Sequence, residues 1–311
     1  MFEETVYQKS DKNDPLIHIL KNKGIVPIIK LDKGLKPLAG TIDETITEGL
    51  DNLDSRCQEM YSLGCRAAKW RAVFVINYDN ATPSCLALDE NAHTLARYAA
   101  TCQANGLVPI VEPEVLMDGI HSIDVASKIT EKVLSKVFAA LVDHDVMLEG
   151  ILLKPNMVRS GASSPMQSHP IEVAQQTLKV LSRTVPVAVP GIFFLSGGMS
   201  ELDSTLCLNE INKEAAKHYP WYLSFSYGRA LQKSCLNEWQ GKHDVVNIAN
   251  AQKTLLRLAR QNSLATCGKF DHDVKSHHHE EGTVISSMRK NLEKCYEHDS
   301  KSDESKHEIV G

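Results

Sequence analysis

Short apolar runs alternate along the chain with longer stretches whose apolar residues recur every third or fourth position. The runs are Ile25–Leu31, Ala67–Ile76, Leu107–Glu112, Gly150–Lys154, Val187–Leu195 and Trp221–Tyr227. Between them, Glu44–Leu63 carries Ile46, Leu50, Leu53, Cys57, Met60 and Leu63 at helical spacing. Helices are likewise predicted over Asp89–Ala104, Ser122–Asp143, Gln175–Arg183, Ser200–His218 and Asn247–Asn262. Strand-length runs that alternate with helices of this length specify βαβ units and a parallel sheet, an α/β fold.

The runs also end alike. In order, they finish in Lys30-Leu31-Asp32, Lys69-Trp70-Arg71, Glu112-Pro113-Glu114, Lys154-Pro155-Asn156, Ser196-Gly197-Gly198 and Ser226-Tyr227-Gly228-Arg229. Polar groups at the C-terminal ends of successive parallel strands are where a (β/α)8 barrel builds its active site. Lys69 and Arg71 lie two apart and so share one face of their strand, as do Glu112 and Glu114. So many such ends in one chain are hard to assign to solvated surface.

Lys154 closes the run E-G-I-L-L-K. An amine held among apolar neighbours is disposed to a lowered pKa, and as a neutral amine it can attack a carbonyl and form a Schiff base. The alternative is an ordinary lysine reaching into water. Lys69 would depress the amine further if both point into a barrel, and with Arg71 it also suits a phosphate or a developing oxyanion. Glu112 would relay protons while a carbinolamine loses water; alternatively, Glu112 and Glu114 only neutralise nearby lysines. Ser196, Gly197 and Gly198, followed one strand later by Ser226, Gly228 and Arg229, offer backbone N–H groups and a guanidinium fork to an anion. A tight turn alone could explain the first trio; the two loops together favour phosphate. Read by themselves, these residues describe a Schiff-base enzyme acting on a phosphorylated ketose.

Composition narrows the setting. With 311 residues and 42% hydrophobic content, the chain can bury a large core. A net charge of -5 and the lack of a basic, aromatic-interleaved cluster argue against nucleic acid. No stretch has the apolar length of a signal peptide core or a membrane span. Eight dispersed cysteines suggest buried thiols in a reducing cytoplasm, not a disulfide frame or a zinc site. Past residue 270 the character changes. Residues 271–311 read as a charged, disordered tail with a short helix over Val284–Tyr296. His277, His278 and His279 could hold a metal adventitiously there, without fixed geometry. Residues 1–270 form the folded domain on this reading.

The motifs I-K-L-D-K-G, P-L-A-G-T, A-K-W-R, N-G-L-V-P-I-V-E-P-E, L-L-K-P-N-M-V, F-L-S-G-G and F-S-Y-G-R-A-L, in this order, closely resemble class I fructose-bisphosphate aldolase. The resemblance runs from Phe2 to about Lys269. It implies a TIM barrel that cleaves fructose 1,6-bisphosphate to dihydroxyacetone phosphate and glyceraldehyde 3-phosphate in glycolysis. It also implies a cytosolic homotetramer that uses no metal or other cofactor. By resemblance, Lys154 matches the Schiff-base lysine, Glu112 the general acid/base, and Lys69 the lysine beside the reacting carbonyl, with Arg71 beyond it. Ser196, Gly197 and Arg229 match phosphate-holding groups, and Lys30 a basic pocket residue.

The chain also departs from the family. Met1 matches the end of the family's second barrel strand, so about six of the eight strands are expected. The family's G-I-L-A-A-D-E-S motif, whose aspartate serves C3–C4 cleavage, has no counterpart in this sequence. The family's terminal tyrosine has only Tyr296 near its place, and the loop after A-K-W-R is longer than usual. Three outcomes follow: an aldolase with impaired activity; an imine-forming protein that does not cleave; or a non-catalytic, aldolase-like protein that assembles with full-length subunits or acts as a scaffold.

Overall fold

Each apolar run becomes a parallel strand, and the strands sit side by side in chain order. The computed structural model describes residues 1–78, 81–216 and 219–271. Its strands are β1 (Ile28–Lys30), β2 (Leu35–Pro37), β3 (Thr45–Thr47), β4 (Ala67–Phe74), β5 (Val108–Val115), β6 (Leu152–Leu153), β7 (Gly191–Phe194) and β8 (Tyr222–Phe225). A six-stranded sheet runs β1-β4-β5-β6-β7-β8 with every pair parallel, while β2 and β3 form a separate antiparallel pair. At one end of the sheet, the Met1 ammonium donates to Ile28 O at 2.6 Å and Lys30 N–H to Met1 O at 2.8 Å. Met1 thus adds one residue of pairing beside β1.

The helices are α1 (Glu3–Val6), α2 (Leu16–Asn22), α3 (Leu53–Leu63), α4 (Cys85–Ala104), α5 (Ile123–Asp143), α6 (Pro170–Thr184), α7 (Glu201–Ala215), α8 (Arg229–Trp239) and α9 (Val245–Ala265). Their starts are written in the sequence. Ser84, Ser122, Ser200 and Asp244 each accept the N–H three residues on, capping α4, α5, α7 and α9. Each cap is worth roughly 0.5–2 kcal/mol. Glu44, almost fully buried, accepts the Ser84 N–H at 2.8 Å and places a carboxylate at the positive end of α4. Tyr98 ties α4 to the sheet: its hydroxyl donates to Ala68 O at 2.6 Å and its ring packs 5.2 Å from that of Trp70. Residues Met1–Phe270 form one compact unit around this core.

Several expectations change. The stretch Glu44–Leu63 is not one helix. Its β-branched start, Thr45-Ile46-Thr47, pairs with β2, as such residues favour a pleated surface. The helix begins only after Asn52, whose φ of 55° is left-handed. β5 runs on to Val115, past Pro113. Val111 O accepts from Lys154 N, and Val115 N donates to Asn156 Oδ1, so 111, 113 and 115 share the β6-facing edge. The donor that Pro113 lacks therefore falls beyond the two residues that β6 pairs, Ile110 and Val111. Helices α1, α2 and α8 were not expected. The Val284–Tyr296 helix lies outside the described residues, as do His277, His278 and His279.

The loops that leave β5 and β6 are clipped together. Gly161, Ala162 and Ser163 N–H donate to His121, Met117 and Gly119 carbonyls at 2.8, 2.6 and 2.9 Å. The backbones are so close that a Cβ on Gly161 would overlap Gly119 O and sit 2.7 Å from its carbonyl carbon. Only backbone lies there to yield. Gly161→Ala should therefore destabilise the fold by about 1–3 kcal/mol, as overpacking does, lowering the thermal midpoint by roughly 2–4 °C per kcal/mol. Calorimetry reads this directly; an unchanged midpoint would show that the loops part without cost.

Candidate active site

Parallel register sets the site. Lys30 lies beside Lys69, and Arg71 beside Glu112. Residues two apart on one strand share its face, so each strand contributes two rungs at its C-terminal end. The contacts between them, along and across the strands, join opposite charges in turn. Lys30 Nζ is 2.7 Å from Asp32 Oδ1, and Asp32 Oδ2 is 3.2 Å from Lys69 Nζ. Lys69 Nζ then lies 2.9 Å from Glu112 Oε2, and Glu112 Oε1 is 3.1 Å from Lys154 Nζ. Arg71, level with Glu112, pairs with Glu114 two residues further along β5.

This wall is largely withdrawn from water. The Glu112 side chain is 6% exposed and that of Lys154 14%. Buried charges are tolerated only when paired, and the alternation supplies each with an opposite neighbour. Burial raises the Asp32 pKa, but Lys69 and Lys30 outweigh it, so the carboxyl titrates below its usual value. Burial likewise lowers the Arg71 pKa, and Glu114 more than compensates, leaving it raised. Lys154 and Lys69 do not confront one another alone, since Glu112 stands between them. Glu112 thus meets an ammonium at each carboxylate oxygen, Lys69 at Oε2 and Lys154 at Oε1.

The phosphate candidates lie beside this wall. After β7 the chain turns through Gly197 (φ 57°) and Gly198 (φ 101°), a left-handed pair that other residues adopt rarely. The Cβ position of Gly197 is 3.9 Å from Glu114 Oε1, and that of Gly198 is 3.5 Å from the Arg229 guanidinium. Ser196 is buried, whereas Arg229 is exposed. Ser226 and Gly228 contribute backbone: Ser226 N–H donates to Phe194 O at 2.9 Å, and Gly228 caps α8 without a side chain. A helix that starts on a bare glycine turns its first N–H groups and positive dipole end toward an anion.

Asp32 is the residue that sequence reasoning left out of the site, although it closed the first run. Its partners on two different strands were invisible in one dimension. Its depressed folded pKa means that Asp32 stabilises the protein at neutral pH. That contribution is full above the unfolded carboxyl's pKa of about 3.9, shrinks as pH falls below it, and is gone below the lower folded value. Asp32→Asn should therefore lower stability at pH 7 and flatten the loss of stability on acidification. Denaturant unfolding at a series of pH values checks this; parallel wild-type and variant curves would refute it.

Strands that alternate with helices and carry their charges at C-terminal ends define an α/β protein of the TIM-barrel kind. The sequence pattern of the family "Fructose-bisphosphate aldolase class-I" matches residues 1–289. The chain is 56% identical to the fructose-bisphosphate aldolase of Schistosoma mansoni over 271 residues, which cover 87% of this chain and 73% of that one. It is 54% identical to fructose-bisphosphate aldolase 5, cytosolic, of Arabidopsis thaliana, over 87% of this chain and 74% of that one. A solved structure of fructose-bisphosphate aldolase from Plasmodium falciparum, in complex with TRAP and a small-molecule inhibitor, superposes with a TM-score of 0.84 at 51% identity. The match covers 87% of this chain and 77% of that one. The chain belongs to the class I fructose-bisphosphate aldolase family, whose members are lyases that act on a phosphorylated sugar.

Proposed function

We propose that this chain carries out Schiff-base chemistry on a phosphorylated ketose, fructose 1,6-bisphosphate, with Lys154 as the nucleophile. The observation that carries the reading is the contact between Lys154 Nζ and Glu112 Oε1, at 3.1 Å within a buried wall. The amine adds to the ketone carbon to give a carbinolamine, and Glu112 delivers the proton on which its hydroxyl leaves as water. The resulting iminium is an electron sink, so the route calls for no metal. The C3–C4 bond then breaks. Its electron pair moves into the iminium, the C4 hydroxyl loses its proton to a carboxylate of this wall, and glyceraldehyde 3-phosphate departs. Hydrolysis of the remaining enamine, after protonation at carbon, frees dihydroxyacetone phosphate. Lys30, Lys69 and Arg71 offer positive charge around the sugar, while Ser196, Gly197, Gly198 and the start of α8 with Arg229 hold a phosphate. The cytoplasm is the expected setting, in keeping with the cytosolic relative.

Borohydride trapping with dihydroxyacetone phosphate, located by mass spectrometry, tests the nucleophile, and a coupled cleavage assay tests the full reaction. An adduct on Lys154 with turnover supports the proposal. A folded chain that yields no adduct overturns it.

One observation favours a second reading, assembly. Among the described residues the sheet ends at β8 and at β1, beside which Met1 adds one residue and on which Ile28 is exposed. Strands at the ends of an open sheet invite pairing with another chain. On this reading the protein completes its barrel within an oligomer or beside full-length aldolase subunits. Light scattering and co-purification with an intact aldolase test it; an active, monodisperse monomer would exclude it.

A further inference from the structure

We infer that His93 and His144 form a two-histidine clamp for a zinc-class divalent transition-metal ion on the outer helical layer, apart from the charged wall. His93 lies on the exposed face of α4, and His144 is the C-cap of α5. His93 Nδ1 faces His144 Nε2 at 3.4 Å, with ring centroids 5.6 Å apart and planes inclined by 60°. Two packed helices thus bring one ring nitrogen from each to the same point, 51 residues apart in sequence.

The spacing admits such an ion. Imidazole nitrogens bind zinc at about 2.0–2.1 Å, so two nitrogens at a tetrahedral angle stand about 3.4 Å apart. At the right angle of an octahedral site they would stand about 2.9 Å apart. The 3.4 Å found, which also joins the two rings by a hydrogen bond, matches the tetrahedral value. Imidazole suits zinc, copper and nickel, whereas magnesium and calcium require oxygen. In the metal-free protein one ring donates and the other accepts. Binding needs a lone pair on both facing nitrogens, so the donor ring shifts its proton to its other nitrogen through solvent, and the ion replaces the shared hydrogen.

The remaining coordination positions face outward, where water or a further ligand completes them. No third protein ligand converges among the described residues. Asp89, one turn before His93, is held by Lys136 at 2.6 Å. An ion here fastens α4 to α5, the helices that follow the strands carrying Lys69 and Glu112. Its effect is on stability, not on the chemistry of the wall.

The test uses the full chain with His272, His277, His278, His279, Cys295, His298 and His307 replaced by alanine, so that residues 271–311 contribute no histidine or cysteine ligand. Zinc is titrated calorimetrically, and thermal midpoints are read with and without it, against the same protein carrying His93→Asn or His144→Gln. One zinc per chain, a midpoint raised by several degrees, and affinity at least tenfold weaker in either variant are expected. Cobalt should give a visible d–d spectrum that both variants lose. Both histidines lie toward the surface, so neither variant should impair folding, and its zinc-free midpoint serves as the control. Equal zinc affinity in parent and variants, or no binding at 100-fold excess of zinc over protein, overturns the inference.

Discussion

Lys154→Met is expected to abolish aldol cleavage, with a loss on the order of 10^6-fold, as when the nucleophile of another covalent enzyme is removed. Methionine keeps the length and apolar stem of lysine without an amine. The fold should tolerate the change, because Glu112 retains Lys69 at 2.9 Å and is not left as an unpaired buried charge. Ser196, Gly197, Gly198 and Arg229 are untouched, so sugar-phosphate binding should persist within a few-fold. The outcome is therefore selective: a folded protein that still binds the ketose phosphate yet gives no borohydride-trapped adduct. Residual cleavage above about 1% of wild type, or an adduct on another lysine, would show that Lys154 is not the nucleophile.

The six strands and the charged residues gathered at their ends were legible because buried parallel strands read as apolar runs and because C-terminal ends are where polar residues gather. What escaped had no such signature. Helix α8 buries only Ala230 among its residues, so it has no apolar stripe to find. The stretch from β3 into α3 imitates one helix, since Ile46, Leu50 and Leu53 happen to recur at helical spacing. Asp32 escaped for another reason: its role comes from register. Nothing in I-K-L-D-K says that its carboxylate spans Lys30 and Lys69. The alternation of charge across neighbouring strands is a two-dimensional pattern, and one strand's sequence carries only one column of it. The pairing of Gly198 with Arg229 is similar, since only the adjacency of β7 and β8 makes it visible.

Glu112→Gln separates the two roles that the sequence left open for this carboxylate. If Glu112 relays protons, the amide should cost about 10^2- to 10^4-fold in turnover, because it can neither give nor take a proton at the carbinolamine. Trapping should still mark Lys154, but more slowly. If Glu112 only neutralises charge, the damage should fall on stability instead. The variant leaves Lys154 without its one ion pair among the described residues, while Lys69 keeps Asp32 at 3.2 Å. The pH profile distinguishes them. A proton relay contributes a titrating limb to kcat/KM, and that limb should vanish in the variant while the trapped residue stays the same. Near-normal turnover with a lowered thermal midpoint would assign Glu112 to charge balance, and the proton traffic would then have to run through another group on the wall, with Asp32 the nearest carboxylate joined to it through Lys69.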